Sequence, residues 1–311
     1  MKQYLNIHDI QNIPEILQEA LELKKNPYQH KALGSNKTLV MLFFNSSLRT
    51  RLSTEKAAKN LGMEVMVLNV SNAWNLEFED GTVMNLDTAE HIKEAAQVVS
   101  EYADIIAVRA FPSLTDKKKD ESEIVLHSFQ KYATVPVINM ESSISHPMQA
   151  LADALTIAEL KTTHKPKVVL SWAPHPKALP HAVANSFIEM MQLLDVDFSI
   201  THPVGYELNP SIVKEVPIHY NQEEALQDAD FVYVKNWSNY QDYGKVRSVD
   251  ANWMMTQKKI GKAKFMHCLP VRRNVVVEDA VLDGENSVVI QQAGNRTYAA
   301  QVVLKKLLEN C

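Results

Sequence analysis

The sequence predicts an α/β protein of two doubly wound parallel-sheet domains joined by interdomain helices. Three observations predict it. Short β-branched and apolar runs recur along the chain, a stretch with helical spacing follows each of them, and 311 residues are more than one core usually holds. Apolar residues make up 46% and charged residues 22%, as in an ordinary globular chain. A net charge of -5 without a dense Lys/Arg face leaves no electrostatic footprint for nucleic acid or an anionic membrane, so neither is expected as a partner.

The first half reads as strands at 37–44, 64–70, 104–110 and 135–140, with amphipathic helices at 50–62 and 88–103 between them. A seam follows. "SHPMQALADALTIAEL" (145–160) starts a helix with Pro147 at its first position, where a missing N–H costs nothing. The second half reads as strands at 166–173, 196–203, 229–237, 264–270 and 287–292, with a helix at 179–194. A last amphipathic helix covers 295–310. The expected domains are 1–145 and 146–294, with 295–311 packing back on the first. The default ligand site of such sheets is a cleft at the carboxyl ends of their strands.

The N-terminus "MKQYLNIHDI" has no apolar h-region, and no apolar stretch reaches the roughly 18 residues of a membrane span. Cys268 and Cys311, far apart in sequence, make neither a disulfide framework nor a zinc-ligand set. A reducing cytoplasm is the expected compartment.

The chemistry concentrates in three short stretches. "FFNSSLRTR" (43–51) lies where a strand ends and a helix begins, so free N–H groups and the positive end of the helix dipole face a ligand there. The hydroxyls of Ser47 and Thr50 and the fork of Arg49 add an anion cradle suited to phosphate. Nucleotide folds would use glycine here, but the chain has eight glycines and neither G-x-G-x-x-G nor G-x-x-x-x-G-K-[ST]. Arg109 ends an apolar strand, where a charge is costly unless it meets an anion. In "HPMQ", His146 opens the seam helix and Gln149 lies one turn inside; taken singly they read as a helix cap and a surface residue. "MHCLPVRR" (266–273) ends a second-half strand with His267 and Cys268, and no order of residues there marks a covalent nucleophile.

Together S-x-R-T-R, H-P-x-Q and H-C-L-P, in that order over nearly the whole chain, resemble the transcarbamylase family. The resemblance implies carbamoyl transfer from carbamoyl phosphate to an amine, with neither metal nor organic cofactor. It implies that Ser47, Leu48 through its backbone, Arg49 and Thr50 hold the phosphate. Arg109, His146 and Gln149 would reach the carbamoyl end, and Cys268, Leu269 and Arg296 would close the site.

The same resemblance bears on the amine. Ornithine transcarbamylases place a Ser-Met-Gly motif after a strand of the second domain, whereas "ADFVYVKNWSNY" continues into Lys235-Asn236-Trp237; a lysine there suits a carboxylate and repels a free ammonium. "KNW", "WAPHPKALP" and "GTVMNLD" instead resemble the branch acting on N-acylated ornithine. That branch implies Glu141, His175 and Lys235 as contacts to the acylornithine backbone, Trp74 lent to a neighbouring subunit's site in a homotrimer, and a knotted chain in the second domain. Ala89 and Glu90 fall at its acyl-specificity position, where glutamate goes with acetyl and proline with succinyl. Ala89 matches neither; without a carboxylate there, a succinyl group meets less repulsion, and succinyl is favoured over acetyl. The alternatives are an ordinary ornithine carbamoyltransferase and a catalytically silent phosphate-binding protein on the same fold.

Overall fold

The computed structural model describes residues 1–70, 74–247 and 250–310, so Cys311 lies outside the described residues. The chain divides into two compact units: residues 1–113, 118–148 and 296–311 form the first, and 114–117 with 149–295 the second.

The first unit runs α1 (Ile13–Lys25), β1 (Thr38–Phe43), α2 (Arg49–Asn60), β2 (Glu64–Asn69), β3 (Leu76–Glu77), β4 (Glu90–His91), α3 (Ile92–Tyr102), β5 (Ile105–Arg109), α4 (Lys117–Glu121), α5 (Ile124–Tyr132), β6 (Val137–Glu141) and the start of α6 (Pro147–Leu160). Its main sheet is parallel with order β2-β1-β5-β6. Strands β5 and β6 are buried throughout, which explains why they read as unbroken apolar runs rather than alternating ones. The strand order reverses between β1 and β5, and Phe43 and Arg109 are register partners at the carboxyl ends there. That is where an open α/β sheet places its ligand.

The second unit continues through β7 (Lys167–Trp172), α7 (Ala182–Met191), β8 (Asp197–Thr201), α8 (Pro210–Val213), β9 (Ile218–His219), α9 (Gln222–Leu226), β10 (Phe231–Lys235), α10 (Gln257–Ile260), β11 (Lys264–Met266), α11 (Asp279–Leu282) and α12 (Val289–Leu308). Its sheet is also parallel, in order β11-β10-β7-β8-β9, and reverses between β7 and β10, where Trp172 faces Lys235. The division between the units falls inside α6 and α12, at Met148/Gln149 and Asn295/Arg296.

One expected strand is a helix. Residues 287–292 begin in a strand-like way, since Ser287 bridges Phe265 and the Val288 N–H donates to the Phe265 carbonyl. From Val289 the burial period becomes helical: Val289, Gln292 and Arg296 are buried while Ile290 is 77% exposed. A β-branched run led to the strand reading, and the position of its polar residues decides for the helix. Strand β11 is likewise shorter than expected: it ends at Met266, and by Leu269, with a positive φ of 56°, the backbone has left the extended region.

Candidate active site

Three strand ends and a helix start build the first unit's cluster. Arg109 closes β5 and Glu141 closes β6, and a register shift at Val108/Arg109 makes them cross-strand partners. Arg109 Nη2 donates to Glu141 Oε2 at 3.0 Å, and its Nη1 donates to the Asn45 and Ser46 carbonyls at 3.0 and 2.7 Å. The guanidinium also stacks on Phe111, 4.0 Å from the ring centroid. The charge that should be costly at this strand end is therefore matched, and it holds the loop that leads into α2.

The two hydroxyls are set as donors. Ser47 Oγ accepts from the Thr50 N–H at 3.3 Å, and Thr50 Oγ1 accepts from Arg296 Nη2 at 2.7 Å. Arginine has no acceptor, so each bond leaves the hydroxyl proton available to something else. Leu48 points its side chain outward at 67% exposure, so only its backbone can take part. Arg49 is half-buried at the first position of α2, and its Nε, like that of Arg109, is buried without a hydrogen-bond partner.

His146 lies 3.5 Å from Glu141 Oε2 and 3.4 Å from Arg296 Nη2, almost fully buried. Burial, with Arg296 and Arg109 adding repulsion, holds its pKa well below the ordinary imidazole value, so the ring is neutral at pH 7 and its approach to Glu141 is not an ion pair. Arg109 thus pairs with Glu141, Arg296 stands beside His146 and Thr50, and Arg49 is close enough to repel Arg109. Cations gathered in a largely buried place are suited to meeting an anion.

Trp74, Ala89 and Glu90 meet elsewhere in this unit. Strand β3 pairs with β4, the Ala89 N–H donates to the Asn75 carbonyl, and Trp74 Nε1 donates to Glu90 Oε2 at 2.8 Å. The Glu90 carboxylate is thereby tied to the indole.

In the second unit, Gln149 is not the surface residue it resembles by itself: it is 1% exposed and its Nε2 donates to Asp153 Oδ1 at 2.7 Å. Cys268 and Leu269 are half-buried on the turn after β11, shaped by the Leu269 N–H donating to His267 Nδ1 at 2.8 Å. Lys235 ends β10 nearly buried and donates to the Asn236 carbonyl, while Asn236 Nδ2 donates to the Ala173 carbonyl at the end of β7. His175 Nε2 accepts from Arg272 Nε at 3.1 Å. Burial lowers the His175 pKa, a backbone hydrogen bond with Lys177 opposes this, and the nearby cations Arg272 and Lys235 add to the lowering.

Sequence reasoning missed Arg272, Asp153 and Gln292. The two arginines of "VRR" differ only in three dimensions: Arg272 reaches His175, while Arg273 forks onto Asp279 and Asp283. Asp153 had a local signal, its i+4 spacing from Gln149 on one helix face. Among the described residues no group of three or more His, Cys, Asp or Glu side chains could hold a metal ion, and no helix is long and apolar enough to cross a membrane.

Residues 2–159 match the model of the aspartate/ornithine carbamoyltransferase carbamoyl-P binding domain, and residues 180–307 that of the Asp/Orn binding domain. The chain is 48% identical to an N-succinylornithine carbamoyltransferase of Bacteroides fragilis, over 100% of this chain and 99% of that protein. It is 36% identical to an N-acetylornithine carbamoyltransferase of Xylella fastidiosa, over 99% and 98%. A crystal structure of a glutamate-to-alanine variant of N-acetyl-L-ornithine transcarbamylase, complexed with carbamyl phosphate and N-succinyl-L-norvaline, superposes with a TM-score of 0.92 at 36% identity, covering 99% of this chain and 100% of that one. With both of its halves matched to the two domain models, this chain belongs to the aspartate/ornithine carbamoyltransferase family.

Proposed function

We propose that the protein transfers the carbamoyl group of carbamoyl phosphate to the δ-amine of an N-acyl-L-ornithine, with N-succinyl favoured over N-acetyl. The products are the N-acylcitrulline and phosphate, a step of arginine biosynthesis. The observation that carries this reading is the gathering of Arg109, Arg296 and a neutral His146 with the Ser47 and Thr50 hydroxyls, with Arg49 close enough to repel Arg109. A phosphate brings negative charge to these cations, and the Ser47 hydroxyl, which accepts from the Thr50 N–H, keeps its proton free to donate to it.

In the reaction the neutral δ-nitrogen attacks the carbamoyl carbon, the C–N bond forms, and charge gathers on the carbamoyl oxygen. Thr50, Arg109 and His146 are the donors assigned to that oxygen, each worth roughly 3 to 4 kcal/mol in comparable sites. The bond from carbon to the phosphate oxygen then breaks, and the departing phosphate takes the proton that the amine loses. No dedicated base is needed. Gln149, Cys268 and Leu269 are assigned to the carbamoyl end, and Glu141, His175 and Lys235 to the acylornithine backbone. Residues 1–145 with the last helix would then be the carbamoyl phosphate domain and 146–294 the acylornithine domain.

The acyl choice rests on Ala89. An acetylornithine enzyme whose glutamate is changed to alanine accommodates a succinylated norvaline, and this chain has alanine at the position resembling it. Its neighbour Glu90 is tied to Trp74, which draws that carboxylate away from a succinyl group. Free ornithine is disfavoured because its ammonium would meet Lys235, a nearly buried cation at the end of β10. Incubation with carbamoyl phosphate and each of ornithine, N-acetylornithine and N-succinylornithine tests all three: ureido product is expected fastest with the succinyl substrate. Turnover with free ornithine alone, or with no amine, would refute the reading.

We propose a homotrimer as the working assembly. Strand β2 is a sheet edge with Met66 53% exposed, and Leu48 and Leu52 stand out from α2 in the same unit at 67% and 58%. Apolar side chains beside an open edge call for cover, and Trp74 would reach a neighbour's site. Light scattering should give the mass of three chains, and the mass of one would remove this assignment.

A further inference from the structure

A carboxylate outside the recognised motifs settles which atom Gln149 can offer to a substrate. Asp153 lies one turn after Gln149 on α6 and is fully buried. Its Oδ1 accepts two hydrogen bonds at 2.7 Å, one from Gln149 Nε2 and one from Gln292 Nε2 on α12. Gln292 in turn accepts the His267 N–H on its Oε1 at 2.9 Å, at the head of the turn that carries Cys268 and Leu269. All these groups are buried in one unit.

The two ends of a glutamine amide are nearly isosteric, so shape alone does not fix which one faces outward. A carboxylate oxygen can only accept, so both amides must turn their nitrogens to Asp153. That leaves Gln149 Oε1, a buried atom with no hydrogen-bond partner, as the acceptor Gln149 presents. The carbamoyl group differs from its acetyl counterpart by N–H donors in place of a methyl, and an acceptor is what tells them apart.

We propose that Asp153 is a positioning residue that locks the Gln149 amide with its oxygen toward the carbamoyl nitrogen and, through Gln292, anchors the turn at His267. Selection of carbamoyl over other acyl phosphates then depends on a side chain that never touches the substrate. This rests on the carbamoyl-transfer reading above.

The test compares the affinities of carbamoyl phosphate, acetyl phosphate and inorganic phosphate by calorimetry, with circular dichroism to confirm folding. Native protein should prefer carbamoyl over acetyl phosphate by at least about tenfold, the value of one hydrogen bond. Asp153→Leu should erase that preference by weakening carbamoyl phosphate alone, and Gln149→Leu should do the same, with no further loss in the double variant because one oxygen is at stake. Asp153→Asn, which keeps an accepting oxygen, should retain the preference. If Asp153→Leu does not fold, Asp153→Ala, which likewise has no accepting side-chain oxygen, is read in the same way. A preference that survives in Asp153→Leu, or an equal loss for all three ligands, would overturn the role of Asp153 and leave carbamoyl transfer standing. Failure of the native protein to bind carbamoyl phosphate would overturn both.

Discussion

Arg49→Ala is expected to weaken carbamoyl phosphate binding by about a hundredfold while leaving the protein folded. Hydrogen bonds to charged groups contribute about 1.5 to 3 kcal/mol each, and losing a forked pair to phosphate removes about 3 kcal/mol, which is about a hundredfold in affinity. Stability should hold because Arg49 has a buried Nε without a hydrogen-bond partner, so its removal strands no buried acceptor there. Arg109 differs in this respect. It holds the Asn45 and Ser46 carbonyls and the Glu141 carboxylate, and truncating it would leave that buried carboxylate uncompensated. Calorimetric titration with carbamoyl phosphate, alongside thermal unfolding, separates the two effects. Native affinity in Arg49→Ala would take Arg49 out of the phosphate site, and a large drop in melting temperature would show that it supports the fold instead.

What could be read ahead of the structure follows the range of the forces involved. The "SSLRTR" stretch was legible because a strand end, a helix start and three donors lie within six residues, and their joint effect is local. Arg109 was legible as an anomaly, a charge in an apolar strand. Its partner was not, since the Arg109–Glu141 pairing depends on a register shift between strands 32 residues apart. The seam helix began where Pro147 placed it. The segment at 287–292 was misread because Val288, Val289 and Ile290 favour a strand, whereas the partners of its polar residues, such as Asp153 for Gln292, lie as far as 139 residues away. Asp153 escaped notice for the same reason: its bond to Gln149 lies within a turn, but the second bond that makes it a junction comes from the far end of the chain. Local chemistry shows in sequence, whereas the partner that satisfies a buried group is decided by topology.

Ala89→Glu should invert the choice of acyl substrate. Two like charges 4 Å apart at an effective dielectric of about 20 repel by about 4 kcal/mol, and partial exposure of this loop reduces that to roughly 2 to 3 kcal/mol. A new carboxylate at 89 should therefore lower kcat/KM for N-succinylornithine by about a hundredfold, while N-acetylornithine, whose acyl group is uncharged, changes little. The backbone has no reason to move: Ala89 is exposed, and its N–H already donates to the Asn75 carbonyl whatever side chain it bears. Glu90 cannot mimic the effect while Trp74 Nε1 holds its carboxylate at 2.8 Å. Replacing Trp74 with phenylalanine removes that donor and should produce a weaker shift in the same direction, because the freed Glu90 carboxylate can then swing. Equal losses for both acyl substrates in Ala89→Glu would mean that the residue shapes the loop rather than reading the acyl charge. A preference unmoved by the substitution would place the acyl group away from residue 89, and the specificity would then have to come from the Lys235 side of the substrate.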